Sequence, residues 1–435
     1  MRCQSLVAAL SLGLAALALH DQQFPLGTPG EADVRPFDVA NLNSDKPHSS
    51  NFSSKNKQWR LDEGPAENTT GNLIFDTVHS LLQHWPNTRY RNGHNIVPGV
   101  IPTGTLLYHG TTSNTIPNEP EWIAMDPEHS LAFTRGMDGN GWHLTLEATR
   151  PLRVLYFDGN GAAKVSEGTL DTQDIVAWGK VQPERYMDEM SRIKDLCRWG
   201  KELRIDGFAR MEMDFEIMLC DFTAGVEVVS FLHVRVYGTE ELHRSPSSPT
   251  TGVHDRIIEA MHSGSWHNHY PGESRIKLDL TGLVSLYDVA LAPSLVPVRA
   301  GLERWDHRLL GISSEDISRV MRQLTEVINR PDPGSGIDWK ALIHVIVKRY
   351  ADRLEFTQHL LNFTSSDSQE FLQRARLVQT QIRVMLAPYL LGATVIPSAD
   401  SPGLHPSQWA FSIFRLCATA HTTLKINQVP LMTPS

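Results

Sequence analysis

Two short segments carry the residues best suited to chemistry. Leu106-Leu107-Tyr108-His109-Gly110-Thr111 brings a histidine and a glycine to the end of an apolar run. Phe215-Glu216-Ile217-Met218-Leu219 places one carboxylate inside a second apolar run. An isolated carboxylate is costly to desolvate, so a Glu in a buried strand needs a partner or a task. A neutral imidazole can donate to a hydroxyl, and a glycine lets the backbone approach a flat ligand closely. Two strands that each deliver one polar group can build a cleft for a polar ligand.

The elements around these segments follow from periodicity. Ile74, Phe75, Val78, Leu81 and Leu82 recur at helical spacing after Asn72, a candidate N-cap, and Pro86 marks the stop. Pro98 to Gly104 reads as a turn-rich approach to a strand at Thr105 to Tyr108. Further strands are predicted at His143–Leu146, Val154–Phe157, Phe215–Asp221 and Val226–Leu232, with a long helix from Pro183 ending before Asp206-Gly207. Beyond the Ser-Pro-Ser-Ser-Pro-Thr-Thr-Gly stretch, the chain becomes helical. Ser313 and Asp316 approach a capping box, Asp338 caps a second helix, and a third runs from Asp367 towards Pro388.

The fold class that follows is α+β: a small mixed or antiparallel sheet domain, then a mostly helical C-terminal domain. The expected boundaries are a signal peptide over 1–18, a disordered polar segment over 19–71, the α+β domain over 72–240, a linker over 241–252, the helical domain over 253–420 and a loose tail over 421–435.

Length and composition narrow the function. The chain has 435 residues, 41% of them hydrophobic, and a net charge of -9. That charge gives no electrostatic footprint for nucleic acid. Arg2, the apolar run Leu6 to Leu19 and the small-residue site Ala16-Leu17-Ala18 form a secretory signal. Left uncleaved, the same run would tether the chain to a membrane. Asn51-Phe52-Ser53, Asn68-Thr69-Thr70 and Asn362-Phe363-Thr364 are N-glycosylation acceptors, in keeping with a secreted protein. Cys197, Cys220 and Cys417 remain after the signal, enough for one disulfide and one free thiol, or for three buried thiols. No Cys pair has zinc-site spacing, no Gly-rich loop is followed by the phosphate-binding Lys, and no Gly-x-Ser-x-Gly elbow occurs.

The motif Leu106-Leu107-Tyr108-His109-Gly110-Thr111 resembles the first motif of ADP-ribosyltransferases of the poly(ADP-ribose)-polymerase type. The second motif of that family resembles Trp122-Ile123-Ala124 with Ser130 and Phe133, although both aromatic positions lack the usual Tyr. The third, a Glu on a later strand, matches Glu216, and Ile205-Asp206-Gly207-Phe208 resembles the turn that leads to it. The resemblance covers about Thr105 to Leu232. It implies an ADP-ribosyltransferase-like fold and NAD as substrate, for transfer of ADP-ribose to an unknown protein or small-molecule acceptor or for hydrolysis of NAD. His109 would bind the ribose, Gly110 and Thr111 would complete the first motif at the amide, Trp122, Ser130 and Phe133 would enclose the ring, and Glu216 would stabilise the cationic transition state.

Plainer roles exist for the same residues. His109 can be a core or turn histidine, Trp122 and Phe133 core aromatics, and Glu216 the partner of Arg204 or Arg210 in a structural ion pair. A transferase sheet that has lost catalysis would leave a non-enzymatic secreted interaction protein. A third reading takes His254, Asp255, His267 and His269 as ligands of a metal-dependent hydrolase, with surface or helix-end histidines as the alternative.

Overall fold

The apolar runs become strands that feed two cores at once. In the computed structural model, residues 69–84, 90–134, 140–211, 213–235, 262, 264–331, 337–362, 367–390 and 410–421 are described. They all fall within one compact unit, Trp59–Ser435. The strands are β1 (Asn95–Ile101), β2 (Leu106–Thr111), β3 (Glu121–Ala124), β4 (Asn140–Ala148), β5 (Leu152–Phe157), β6 (Gly207–Met211), β7 (Phe215–Leu219), β8 (Val226–Arg235), β9 (Lys277–Leu278) and β10 (Val284–Ser285). They form one mixed sheet in the order β10-β1-β5-β6-β7-β3-β2-β4-β8, with β9 on β1. Only the β5–β6 pairing is parallel.

Side chains alternate across a strand, so each continuous apolar run divides between the two faces. Val97, Leu107, Ile123, Leu144, Val154, Tyr156, Phe215 and Ile217 belong to one core. Ile96, Leu155, Phe157, Phe208 and Met218 belong to the other. The helices among the described residues are α1 (Gly71–Ser80), α2 (Pro127–Leu131), α3 (Asp171–Trp178), α4 (Glu189–Lys201), α5 (Leu295–Arg299), α6 (Ser314–Asn329), α7 (Trp339–Asn362), α8 (Ser368–Leu386) and α9 (Ala410–Thr419). Val78 of α1, with Leu81 and Leu82 just past it, covers the first face. Ile175 and Val176 of α3, Ile193 and Leu196 of α4, and Ile317, Val320 and Leu324 of α6 cover the second. The fold is therefore α+β, with a helical C-terminal part.

Several local expectations change. The turn expected from Pro98 is part of β1: Pro98 stands opposite Leu155, and its carbonyl accepts the Asp279 N–H at 2.8 Å. The long helix expected from Pro183 is a short 3-10 turn, Pro183–Arg185, followed by α4. α1 starts after Thr70, ahead of the Asn72 cap. β9 and β10, which come from the expected helical half, extend the sheet on β1. The Ser313 cap forms as expected, its hydroxyl accepting the Asp316 N–H. Cys197 of α4 is bonded to Cys220 just after β7, and Cys417 is free.

The signal segment, the acceptors at Asn51 and Asn68, His254 and Asp255 lie outside the described residues. So do the polar segment up to residue 68, the whole of the expected linker, the tail from residue 422, and Phe363 and Thr364 of the third acceptor. No helix among the described residues is long and apolar enough to cross a membrane.

Candidate functional site

β2 and β3 share a single opposed pair, Tyr108 with Ala124. On its far side, β3 pairs with β7 from Glu121 to Ala124, and β2 pairs with β4 along its whole length. Among the described strands, the β2–β3 contact is thus much shorter than the pairings that flank it. A cavity of about 320 Å³ opens there, lined by Tyr108, His109, Gly110, Glu121, Trp122, Ile123, Ala124, His129, Ser130, Phe133, Lys164 and Glu216. Its size is at the lower end of the range for small-molecule sites. His109, Gly110, Trp122, Ser130, Phe133 and Glu216, singled out in sequence, all border it. Thr111 does not; its hydroxyl accepts the Ser113 N–H at 3.1 Å.

His109 and Glu216 reach this cavity from different faces. Glu216 stands opposite Ala124 and Arg210 in the ladders, while His109 alternates with Tyr108, to the side of Leu107. The gap between β2 and β3 joins the two sides. His109 Nδ1 lies 2.7 Å from the Trp122 carbonyl oxygen, bridging the parted strands. A carbonyl can only accept, so Nδ1 carries the proton and Nε2 is a bare acceptor. Burial lowers the His109 pKa, and the Trp122 carbonyl only partly offsets that. The ring is thus a neutral acceptor for a ligand hydroxyl, rather than a donor.

Glu216 Oε1 accepts from Arg210 Nε at 2.7 Å. Arg210 is fully buried and also binds Glu189 of α4 and, at 2.9 Å, Gln173 of α3. Burial alone would raise the Glu189 pKa, but the charge and hydrogen bond of Arg210, with the charges of Arg192 and Lys164, together outweigh it and lower it. Of the two partners the sequence offers, Arg210 holds Glu216. This ion pair anchors one oxygen and leaves Oε2 uncommitted at the cavity wall.

The second motif packs as a short structural unit. Ser130 donates its hydroxyl proton to the Pro127 carbonyl at 2.8 Å, so His143 Nε2, at 2.6 Å, must donate to Ser130. The Tyr108 and His143 rings stack at 5.8 Å. A Cβ at Gly110 would meet the Ser130 carbonyl oxygen at 1.9 Å, so this glycine is needed first for the close approach of β2 and α2. Phe133 is 59% exposed at the mouth, too open for a core residue. Trp122 is half-buried, and its indole N–H is buried without a partner. His143, His129 and Lys164 were not singled out in sequence. His143 is placed by the pairing of β2 with β4, His129 by α2 and Lys164 by the loop after β5.

Of the four expected metal ligands, only His267 and His269 are described, and they differ in surroundings. His267 is fully buried in a 3-10 turn, whereas His269, just past that turn, is exposed. His267 instead meets acids from other segments: its Nε2 lies 3.2 Å from Asp126, 3.1 Å from Glu273 and 3.7 Å from Asp214. Asp126, Asp214 and His267 offer three ligand atoms within 4.8 Å of one another. A guanidinium already supplies positive charge there, because Arg275 Nη2 is 2.9 Å from Asp126 and 2.6 Å from Glu273. Burial and the neighbouring Asp126 push Asp214 up to about 9. Burial works against ionised Asp126 as well, but hydrogen bonds from His267 and Arg275 outweigh it and hold that carboxyl well below the usual range. Asp214 is thus the carboxyl driven towards its protonated form, and Asp126 the one held ionised.

A match to a known protein family covers this same region. A family model described as the YPL277C N-terminal domain matches residues 62–142 and 136–248, a span that includes β1 to β8 and every residue lining the cavity. Among curated Saccharomyces cerevisiae proteins, the uncharacterized protein YOR389W is 32% identical over 37% of this chain and 33% of its own length. The uncharacterized protein YPL277C is 31% identical over 37% of this chain and 42% of its own length. The chain thus spans between a third and about two fifths of these relatives, and no solved structure matches it.

Proposed function

We propose that this chain is a secreted or membrane-tethered NAD-cleaving protein of the ADP-ribosyltransferase type. The observation that carries the reading is the single cavity at the β2–β3 gap, where all three motifs converge. Trp122 and the exposed ring of Phe133 offer flat apolar surfaces for nicotinamide. Trp122 also presents an indole N–H without a protein acceptor. The bare Nε2 of His109 would accept from a ribose hydroxyl. Positive charge develops on the ribose as its bond to nicotinamide lengthens, and the free oxygen of Glu216 is fixed in advance to stabilise it. The cavity suits the nicotinamide-ribose end of the dinucleotide, the rest lying outside it. The Cys197–Cys220 disulfide supports a secretory route, since such bonds persist in oxidising compartments.

The test is direct. NAD should raise the melting temperature of the purified protein, because a ligand bound only by the native state stabilises it. Incubation with NAD should release nicotinamide, and Glu216→Gln should abolish that release while keeping the thermal shift. A native protein that shows no shift with NAD overturns the cofactor site. Undiminished release by Glu216→Gln removes the carboxylate from the mechanism.

A second reading has its own support. Both ring positions lack the tyrosine hydroxyl of the resembled family, and Glu216 is tied to Arg210. A binding protein on a decayed transferase sheet would show the NAD thermal shift without any nicotinamide release.

A further inference from the structure

A second polar site lies towards the β10 edge of the sheet, built by residues that the NAD reading does not use. Tyr287 follows β10, and its ring is a platform for two cations. The Arg299 guanidinium carbon is 4.4 Å from the ring centroid and that of Arg304 is 4.8 Å away. Arg304 also lies 4.0 Å from the centre of the Tyr90 ring. His94 stacks on Tyr287 at 4.4 Å, and the Tyr287 hydroxyl meets His307 Nδ1 at 3.1 Å.

These two arginines lack the partners that buried arginines normally have. Arg299 is only 8% exposed, and its one protein acceptor is the Leu286 carbonyl, 3.0 Å from Nη1. Its Nε and Nη2 are buried without a partner, as are Nε and Nη1 of Arg304. Among the described residues, no carboxylate forms an ion pair with either. Other buried arginines of the chain are paired: Arg192 with Asp174 and Glu189, and Arg210 with Glu189 and Glu216. The nearby histidines offer no negative charge. Burial and the two arginines lower the pKa of both His94 and His307, so their rings are neutral.

Buried guanidiniums are retained where their donors are satisfied. Here a buried and a half-buried guanidinium share one aromatic ring, repel each other and keep four buried donor nitrogens unmatched. The planar fork of arginine fits a tetrahedral oxyanion by paired N–H···O bonds. We propose that Arg299 and Arg304 form a binding site for a phosphate-class oxyanion, either free or as the phosphoryl group of a larger ligand. Arg299 supplies the inner donors and the partly exposed Arg304 closes over the anion from the solvent side. The site is separate from the β2–β3 cavity, and the proposal does not depend on NAD cleavage.

The experiment uses the full-length chain in chloride buffer at constant ionic strength. Inorganic phosphate, adenosine monophosphate and adenosine are titrated by calorimetry and by thermal shift. Saturable binding of phosphate, with a rise in melting temperature, is expected. Arg304→Gln, at a half-buried position, should weaken it by roughly tenfold or more, the loss of a charged hydrogen-bonded pair. Arg299→Lys keeps a charge in the core, but should also weaken binding because the fork is gone. Tighter binding of adenosine monophosphate than of phosphate, lost in Arg304→Gln, identifies a phosphoryl ligand; phosphate as the better ligand identifies the free ion. Absence of saturable phosphate-class binding, or equal binding by the native protein and Arg304→Gln, overturns the proposal.

Discussion

Arg210 and Glu216 stand directly opposite one another on β6 and β7, with Nε 2.7 Å from Oε1 and both side chains buried. The same guanidinium holds Glu189 and Gln173, so one cation organises groups from two strands and two helices. Arg210→Met leaves Glu216 without its counter-charge and Glu189 with Arg192 alone. Removing one partner from a buried pair costs about 3–5 kcal/mol. Glu216→Gln should cost distinctly less, because an amide oxygen can still accept from Arg210. Urea unfolding of the two variants checks the order, and equal destabilisation would show that Arg210 is not the organising charge.

Gly110 has no room for a side chain. Gly110→Ala drives a methyl group against the Ser130 carbonyl, and overpacking of this kind costs roughly 1–3 kcal/mol. Relief requires α2 to move away from β2, which also displaces Phe133 from the cavity mouth. The expected result is a lower unfolding midpoint together with weaker NAD binding. Native-like values of both would mean that the β2–α2 contact is looser than the backbone spacing indicates.

Asp214 should impose a pH dependence on stability. Its carboxyl titrates near 9 when folded, against an ordinary value of 3.8 when unfolded. Between these values the native state holds a proton that the unfolded chain has released, so this group's contribution falls as pH rises through that window. Asp214→Asn cannot ionise, yet keeps a donor for Asp126. Its melting temperature should therefore decline less than that of the native protein between pH 5 and pH 8. Parallel declines would show that Asp214 is ionised in the fold.

The Cys197–Cys220 bond closes a loop across a sequence separation of 23 and joins α4 to the end of β7. Cross-links of this size contribute roughly 2–4 kcal/mol. Replacing both cysteines by serine should lower stability by that amount and remove the difference between oxidised and reduced samples in urea unfolding. A native protein insensitive to reductant would mean that the bond adds nothing to the folded state.

The sheet was legible where hydrophobicity alone decides. Val154–Phe157 is an uninterrupted apolar run, and Phe215–Leu219 is broken only by Glu216; they fall in β5 and β7 because both faces of the sheet are covered. β1 was hidden because Pro98-Gly99 imitates a turn, although the Pro98 carbonyl still accepts a hydrogen bond from the chain before β10. In the candidate site, His109, Trp122 and Glu216 could be singled out from residue type and order. His143 could not, since only the β2–β4 register places it under Ser130. The group formed by Asp126, Asp214, His267 and Glu273 was equally hidden. Each of its acids is unremarkable in its own segment, and proximity comes from tertiary structure alone.

The lone rung between Tyr108 and Ala124 has a mechanical meaning. A doorway made by leaving backbone bonds unformed requires no hinge, no swinging loop and no melting of an element before a guest can enter. Visitors should come and go at rates set by diffusion and by the tilt of one phenyl group, with the protein's own framework standing still.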